Sequence, residues 1–222
     1  INILFFKLFF FKKLKYLYSL LFSMVLVFLA NSLTKIISGN IKVEVVVVQP
    51  NIDPYNEKFT TDPVGQIKDF IALSKKYLTK ETKFLIGPET AIQESLWENK
   101  INENASINLL KELQEDFPKL NILIGATTYK YYNNKKSATA RKFTNSNSYF
   151  DAYNSAIFLS SNNKTAIYHK TKLVPGVEKI PFPVLLNNFS NLSVDLGGIS
   201  GSLGSDNDIN LFQTTNDNIL PL

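Results

Sequence analysis

Ile41 to Gln49 reads IKVEVVVVQ. The run is β-branched, too short for a helix and apolar on both faces, which suits a strand in the middle of a sheet covered by helices. Working outward, Lys83 to Gly87 (KFLIG) and Asn121 to Thr128 (NILIGATT) are two more short apolar strands. Before the first of these, Asp62 to Lys80 sets Val64, Ile67, Phe70, Ile71 and Leu78 near helical spacing, with Asp62-Pro63 as N-cap and first position. Asn104 to Phe117 is a second amphipathic helix, through Ile107, Leu110 and Leu113, stopped by Pro118. Strand, helix, strand, helix, strand predicts an α/β layered domain.

The pattern then changes. Tyr131 to Ser148 is polar and rich in Asn and Lys, a surface loop or hairpin tip. Tyr149 to Leu159 and Lys164 to His169 are strands joined by Ser160-Ser161-Asn162-Asn163, a turn composition that favours a hairpin. From Leu173 the stretch LVPGVEKIPFP resists regular structure, and Asn187 to Asn210 is loop-rich.

Upstream, no residue between Lys15 and Lys35 is charged, and Tyr16 to Thr34 reads YLYSLLFSMVLVFLANSLT. At about 1.5 Å per residue these positions reach roughly 28 Å, close to the hydrocarbon thickness of a bilayer. Ser19, Ser23, Asn31 and Ser32 form no polar stripe, as a core helix would require, and no small-residue cleavage site marks a signal peptide. The expectation is a membrane segment over 1–37, with its helix at about 16–34, followed by a domain over 41–222. Lys7, Lys12, Lys13 and Lys15 precede the span, so the bias of basic residues toward the cytoplasm places everything after Ile37 outside it. Phe5, Phe6, Phe9, Phe10 and Phe11 read as the end of another membrane-embedded or interfacial segment, and Ile1 in place of Met reads as a piece of a longer chain.

Composition narrows the chemistry. The 222 residues hold 24 Lys+Arg against 19 Asp+Glu, a net charge of +5, but Arg141 is the single arginine and the lysines are scattered. A nucleic-acid binder would cluster them, so nucleic acid is not an expected partner. With no Cys and His169 alone, these residues offer no disulfide framework, no thiolate nucleophile and no Cys/His metal site, and no cofactor is expected. Gly198-Ile199-Ser200-Gly201-Ser202 begins like a nucleophile elbow but lacks its last glycine, and no phosphate-binding glycine fingerprint occurs.

Three groups of residues could carry chemistry. Gly87-Pro88-Glu89-Thr90 puts a carboxylate at the C-terminal end of a buried strand, where open α/β sheets place their sites; it is a candidate general base, or simply an acid at a helix start. In Tyr168-His169-Lys170-Thr171-Lys172, a lysine ends a strand before a Pro/Gly segment that restrains it, and an ammonium so held stabilises a developing oxyanion. Lys170 and Lys172 share a face, so spacing does not choose between them; Glu178, eight residues after Lys170, could pair with the lysine or contact substrate, and the plainer alternative for the whole segment is a solvated basic turn. His169 points the other way, and a lone histidine is more often structural than catalytic. Gln49-Pro50-Asn51 and Asn154-Ser155 are polar groups at strand ends that could serve loop backbone alone.

Taken in order, Val48-Gln49-Pro50-Asn51-Ile52-Asp53, Pro88-Glu89-Thr90-Ala91, Tyr153-Asn154-Ser155, Tyr168-His169-Lys170 with Leu173-Val174-Pro175 and Glu178, and Pro181-Phe182 resemble the carbon-nitrogen hydrolase (nitrilase) superfamily. Behind a membrane helix, they resemble within it the apolipoprotein N-acyltransferases. The resemblance implies an αββα sandwich and a Glu-Lys-Cys triad, with Glu89 as general base, Lys170 as the oxyanion-stabilising lysine and Glu178 as a supporting acid. It implies a phospholipid acyl donor, a diacylglyceryl-modified lipoprotein acceptor, a Cys thioester between them, and a periplasmic domain on the bacterial inner membrane. Two departures stand out. The chain has no cysteine, which implies an inactive fragment whose nucleophile lies after Leu222, and Gly176-Val177 replaces the Phe-Gly that many relatives carry before the Glu. The competing expectations are a nitrilase-like amidase acting on a small amide and a non-catalytic extracytoplasmic binding domain.

Overall fold

The computed structural model describes residues 2–11, 14–34, 42–52, 62–179, 202–208, 211–214 and 218–219. The Ser38-Gly39-Asn40 break, Asp53, Pro181-Phe182 and all of 187–201 lie outside the described residues. The chain divides into two compact units, Ile1–Lys42 and Val43–Leu222.

The first unit is helical, α1 (Asn2–Phe11) and α2 (Leu14–Thr34). Among the described residues α2 alone is long and apolar enough to cross a membrane. Its apolar side chains are exposed around the helix, Leu21, Phe22, Val25 and Phe28 each by half or more, so it is not the core helix of this fold. Ser19 Oγ and Ser32 Oγ donate to the carbonyls of Lys15 and Phe28, which internally satisfies the hydroxyls of an otherwise apolar helix.

The second unit is mixed α/β. Its strands are β1 (Glu44–Val47), β2 (Thr82–Ile86), β3 (Ile92–Trp97), β4 (Asn121–Tyr132), β5 (Arg141–Lys142), β6 (Tyr149–Leu159) and β7 (Thr165–His169), with α3 (Pro63–Lys75) and α4 (Ala105–Asp116) between them. One seven-stranded mixed sheet runs β1-β2-β4-β6-β5, with β3 on β4 and β7 on β6. β1, β2, β3 and β4 pair in parallel, whereas β6 is antiparallel to β4, β5 and β7. A 3-10 helix at Glu98–Glu103 links β3 to α4, and a small antiparallel pair, β8 (Phe212–Gln213) and β9 (Asn218–Ile219), completes the described elements.

Local chemistry fixes the helices. Asp62 caps α3 as its sequence predicts, accepting from Val64 N at 3.1 Å and Gly65 N at 3.0 Å, with Pro63 in the first turn. Asn104 caps α4 through Ile107 N at 3.0 Å, and Glu94 on β3 accepts from both Asn104 and Ser106, tying the helix start to the sheet. Ile67 and Phe70 of α3 and Ile107, Leu110 and Leu113 of α4 meet Leu85, Ile122, Ile124 and Ile157 on one sheet face. The other face carries Leu123 and Phe158, covered by Phe212 of β8 and bordered by Phe84, Ala156 and Tyr168.

One expectation is corrected here. β1 is not in the middle of the sheet; it ends the strand order among the described residues. Val46 and Val48 pack into the helix-side core, but Val45 and Val47 are 41% and 70% exposed. Apolarity on both faces shows that a strand can be buried on both sides, without saying how many neighbours it has. β3 was not expected: Ile92–Trp97 (IQESLW) mixes polar and apolar residues, and its strand is imposed by pairing to the upper half of β4. That half, through Tyr132, was expected to end at Thr128.

Candidate active site

β6 and β7 build most of the site. Their ladder pairs Ser155 with His169 and Ala156 with Tyr168, and one residue later Lys170 N donates to Asn154 O at 2.8 Å. Strand alternation therefore sends Asn154 and Lys170 to one face and Tyr153, Ser155 and His169 to the other.

On the first face four polar side chains converge. Lys170 Nζ lies 3.2 Å from Glu89 Oε1 and 3.1 Å from Glu178 Oε1. Asn154 Nδ2 donates to Glu178 Oε1 at 2.6 Å and also to Glu89 Oε1. Glu178 Oε2 accepts from Val174 N at 2.7 Å, which closes the turn between Lys170 and Glu178. Gly176 at φ 87 lies within that turn, in the left-handed region that glycine adopts without a side-chain penalty. Glu178 is buried while the Glu89 side chain is 61% exposed, so one acid is structural in placement and the other faces the open cavity.

The main chain at Glu89 is placed by backbone contacts, and its carboxylate is then met by Asn154 and Lys170. β2 ends at Ile86, Gly87 N donates to Leu123 O, and Gly125 N on β4 donates to Pro88 O at 3.1 Å. A Cβ at Gly125 would stand 2.6 Å from both Glu89 Cα and Thr90 N. Thr90 follows at φ 49, a left-handed conformation that is costly for a β-branched residue and turns the chain sharply after the acid.

The electrostatics are mutually supporting. Burial by itself would raise the Glu178 carboxyl, but the Val174 N–H, Asn154 and Lys170 outweigh it and hold that group below the usual carboxylate range. Burial would likewise lower the Lys170 ammonium, and the two acids reverse it, raising Lys170 above an ordinary lysine. The group is an ammonium locked between carboxylates at neutral pH. Beside it opens a cavity of about 410 Å³, with Ile86, Leu123, Ala156 and Tyr168 as apolar wall and Glu89, Asn154 and Lys170 at its polar end. A second cavity of about 360 Å³ reaches Glu89 from the side of Gln49, Asn51, Thr90 and Gln93. The volume and lining of the first suit a small or extended apolar ligand held by a few polar groups.

The structure thus brings Glu89, Lys170 and Glu178 together from segments far apart in the chain, and leaves Lys172 exposed. Asn154, a strand-end polar group by its sequence, lies within β6 and bridges the two acids. Its signal is a carboxamide within a largely apolar strand, where a buried polar group needs a partner. Gly125 left only the weak signal of a glycine inside a strand. No group of His, Cys, Asp and Glu able to hold a metal ion occurs among the described residues. No family model matches the chain, and a search of curated proteins returns no match.

Proposed function

We propose that this chain carries the acid and lysine of a membrane-attached N-acyltransferase of the nitrilase type, which moves an acyl chain from a phospholipid to the amino terminus of a diacylglyceryl-modified lipoprotein. The observation that carries the reading is the Lys170 ammonium held between Glu89 and Glu178 at the end of an apolar-walled cavity. The mixed sheet with helices on one face supports the proposed sandwich, of which it would be one half. The apolar helix α2 supports attachment to a membrane, with the catalytic domain on its periplasmic side.

The reading needs a cysteine outside these 222 residues, since none is present here. Glu89 takes the thiol proton and the thiolate attacks the ester carbonyl of the lipid. Negative charge develops on the carbonyl oxygen beside Lys170, which is already in place and needs no reorganisation. The ester C–O bond breaks, and the lysophospholipid leaves with the proton from Glu89. The acceptor amine then attacks the thioester, loses a proton to Glu89 and becomes an amide as the thiol is regenerated. Glu178 and Asn154 do not react; they keep Lys170 charged and aimed.

The test uses the full-length membrane protein with its cysteine and a phospholipid labelled in its acyl chain. The expected result is a hydroxylamine-sensitive label on the enzyme that passes to a diacylglyceryl-cysteinyl peptide. Release of the label to water, with the peptide unlabelled, would replace this reading by the amidase. Absence of any acyl-enzyme would leave a binding domain.

A further inference from the structure

His169 lies on the opposite face of β7 from Lys170, buried, and takes no part in the chemistry above. Its Nε2 is hydrogen-bonded to Glu98 Oε1 at 2.7 Å, and its buried Nδ1 lies 3.1 Å from Asp206 Oδ2, at ion-pair distance but off the line of a hydrogen bond. Its ring stacks on Tyr153 with centroids 3.8 Å apart and planes 13° from parallel. A neutral imidazole holds one proton and can satisfy one of two carboxylates; the other nitrogen would then turn a lone pair toward an anion. Both contacts are favourable together only for the imidazolium.

Asp206 belongs to the segment 202–208, which fills a gap in the sheet. β7 pairs with β6 only from Ser155 to Leu159, and β5 only at Tyr149 and Phe150. Between them Gly204 bridges to Tyr153, with Gly204 N donating to Ala152 O at 2.9 Å. The neighbouring Leu203 N donates to Glu178 O at 2.8 Å, which links this segment to the residue that grips Lys170. Arg141 Nη2 adds a bond to Ser202 O at 3.1 Å.

We propose that His169, protonated on both nitrogens and lying between Glu98 and Asp206, is a positioning residue that clasps the 202–206 segment to the sheet through Asp206 and thereby, through Leu203, fixes Glu178. The clasp itself does not depend on the acyltransferase reading; only its bearing on turnover does. Burial lowers the imidazole, but the hydrogen bond and charge of Glu98, with Asp206, more than reverse it. The other titratable groups on this face are Tyr153, whose phenol is pushed up by burial and stays neutral, Tyr132, bonded to it at 2.9 Å, and the buried Asp151, whose charge acts on Tyr153 and on Arg141. Thr128 donates to Glu98 and completes the shell. Because the native group is raised, the clasp is fully present below the ordinary imidazole range near 6.5 and is lost as pH rises through the higher native value.

His169 is the single histidine of these 222 residues, so carbon-13 labelling of histidine Cε1 in the full-length protein in detergent reports on it through the signal that His169→Gln removes. The expected titration lies above about 6.5 and falls in Asp206→Asn and in Glu98→Gln. Hydrogen exchange of the peptide covering 202–206, corrected for intrinsic rates, should speed about tenfold through the same pH range in the wild type, and show no such step in His169→Gln. A signal that titrates at or below the ordinary value, or an exchange step that persists in His169→Gln, would overturn the clasp. Both readouts are independent of catalysis, so an inactive protein with this titration would sink the acyltransferase and spare the inference.

Discussion

Lys170 Nζ stands 3.2 Å from Glu89 Oε1 although 81 residues separate them in the chain, and the same oxygen receives the amide of Asn154. One acid oxygen, one ammonium and one carboxamide meet there because two unrelated strand ends, β2 and β7, finish at the same level of the sheet, with β4 and β6 between them. Replacing Lys170 by Met keeps the length of the stem and removes the charge. In the full-length protein this should lower acyl transfer by about a hundredfold or more, the usual cost of losing one oxyanion-stabilising donor. Circular dichroism should be unchanged, since the side chain is about a third exposed. Turnover within a few-fold of wild type would remove Lys170 from the chemistry.

Gly125 and Gly87 both lie against the Glu89 turn, but different atoms oppose a methyl group at each. At Gly125 they are backbone, Glu89 Cα, Thr90 N and Pro88 O, all within 2.8 Å. At Gly87 they are side chains, Ile124 and Phe70, from 2.8 to 3.2 Å. Side chains can rotate and a strand exit cannot. Gly125→Ala should therefore destabilise by roughly 1–3 kcal/mol in denaturant unfolding, the range for overpacking, and Gly87→Ala by less. The reverse order in the measured stabilities would show that the Glu89 turn is softer than its hydrogen bond to β4 suggests.

Glu178 supplies the acid limb of the stability profile. Its native value lies below the usual carboxylate range, so the unfolded chain binds its proton first on acidification. The stability it contributes is complete above the unfolded value, about 4.3, and is lost as pH falls toward the native one. Lys170 is raised, so its share is complete below the ordinary lysine value and is lost as pH rises from there through the native one. Glu178→Gln should flatten the fall in unfolding free energy on the acid side of pH 5 and lower the whole curve at neutral pH. An unchanged acid limb would assign the acid lability to other carboxylates.

Much of this arrangement was legible from the chain itself, for a physical reason. α3, α4, β6 and β7 are each specified locally, by a capping Asp or Asn, a 3.6-residue apolar period or a hairpin turn, and their observed limits fall close to those read from sequence. The helix of α3 stops at Lys75 rather than Lys80 because Lys76 N and Tyr77 N close onto Leu73 O and Ser74 O in a tightened last turn. What was not legible depends on partners. β1 lies at the edge of the described sheet, β3 exists through β4, and the His169 clasp joins three segments with no common spacing. Asn154 looked incidental for the same reason, because its two acceptors come from elsewhere in the chain.

That carboxamide gives the sharpest test of how the cluster is balanced. Asn154 is buried and its one amide group donates to both Glu89 and Glu178, so it satisfies two acids while adding no charge. Asn154→Asp is nearly isosteric but puts a third carboxyl beside two others, with a single ammonium among them. Either the new group ionises and repels both acids, or one of the three stays protonated. In both cases the hydrogen bonds that aim Glu89 are lost or reversed. Asn154→Ala leaves the acids less well satisfied but introduces no new charge. Acyl transfer should fall further in Asn154→Asp than in Asn154→Ala, and the gap should narrow below about pH 5, where carboxyls in their ordinary range begin to take up protons. Equal losses in the two variants at every pH would mean that Asn154 acts by filling space, and that Glu89 is held by its backbone turn alone.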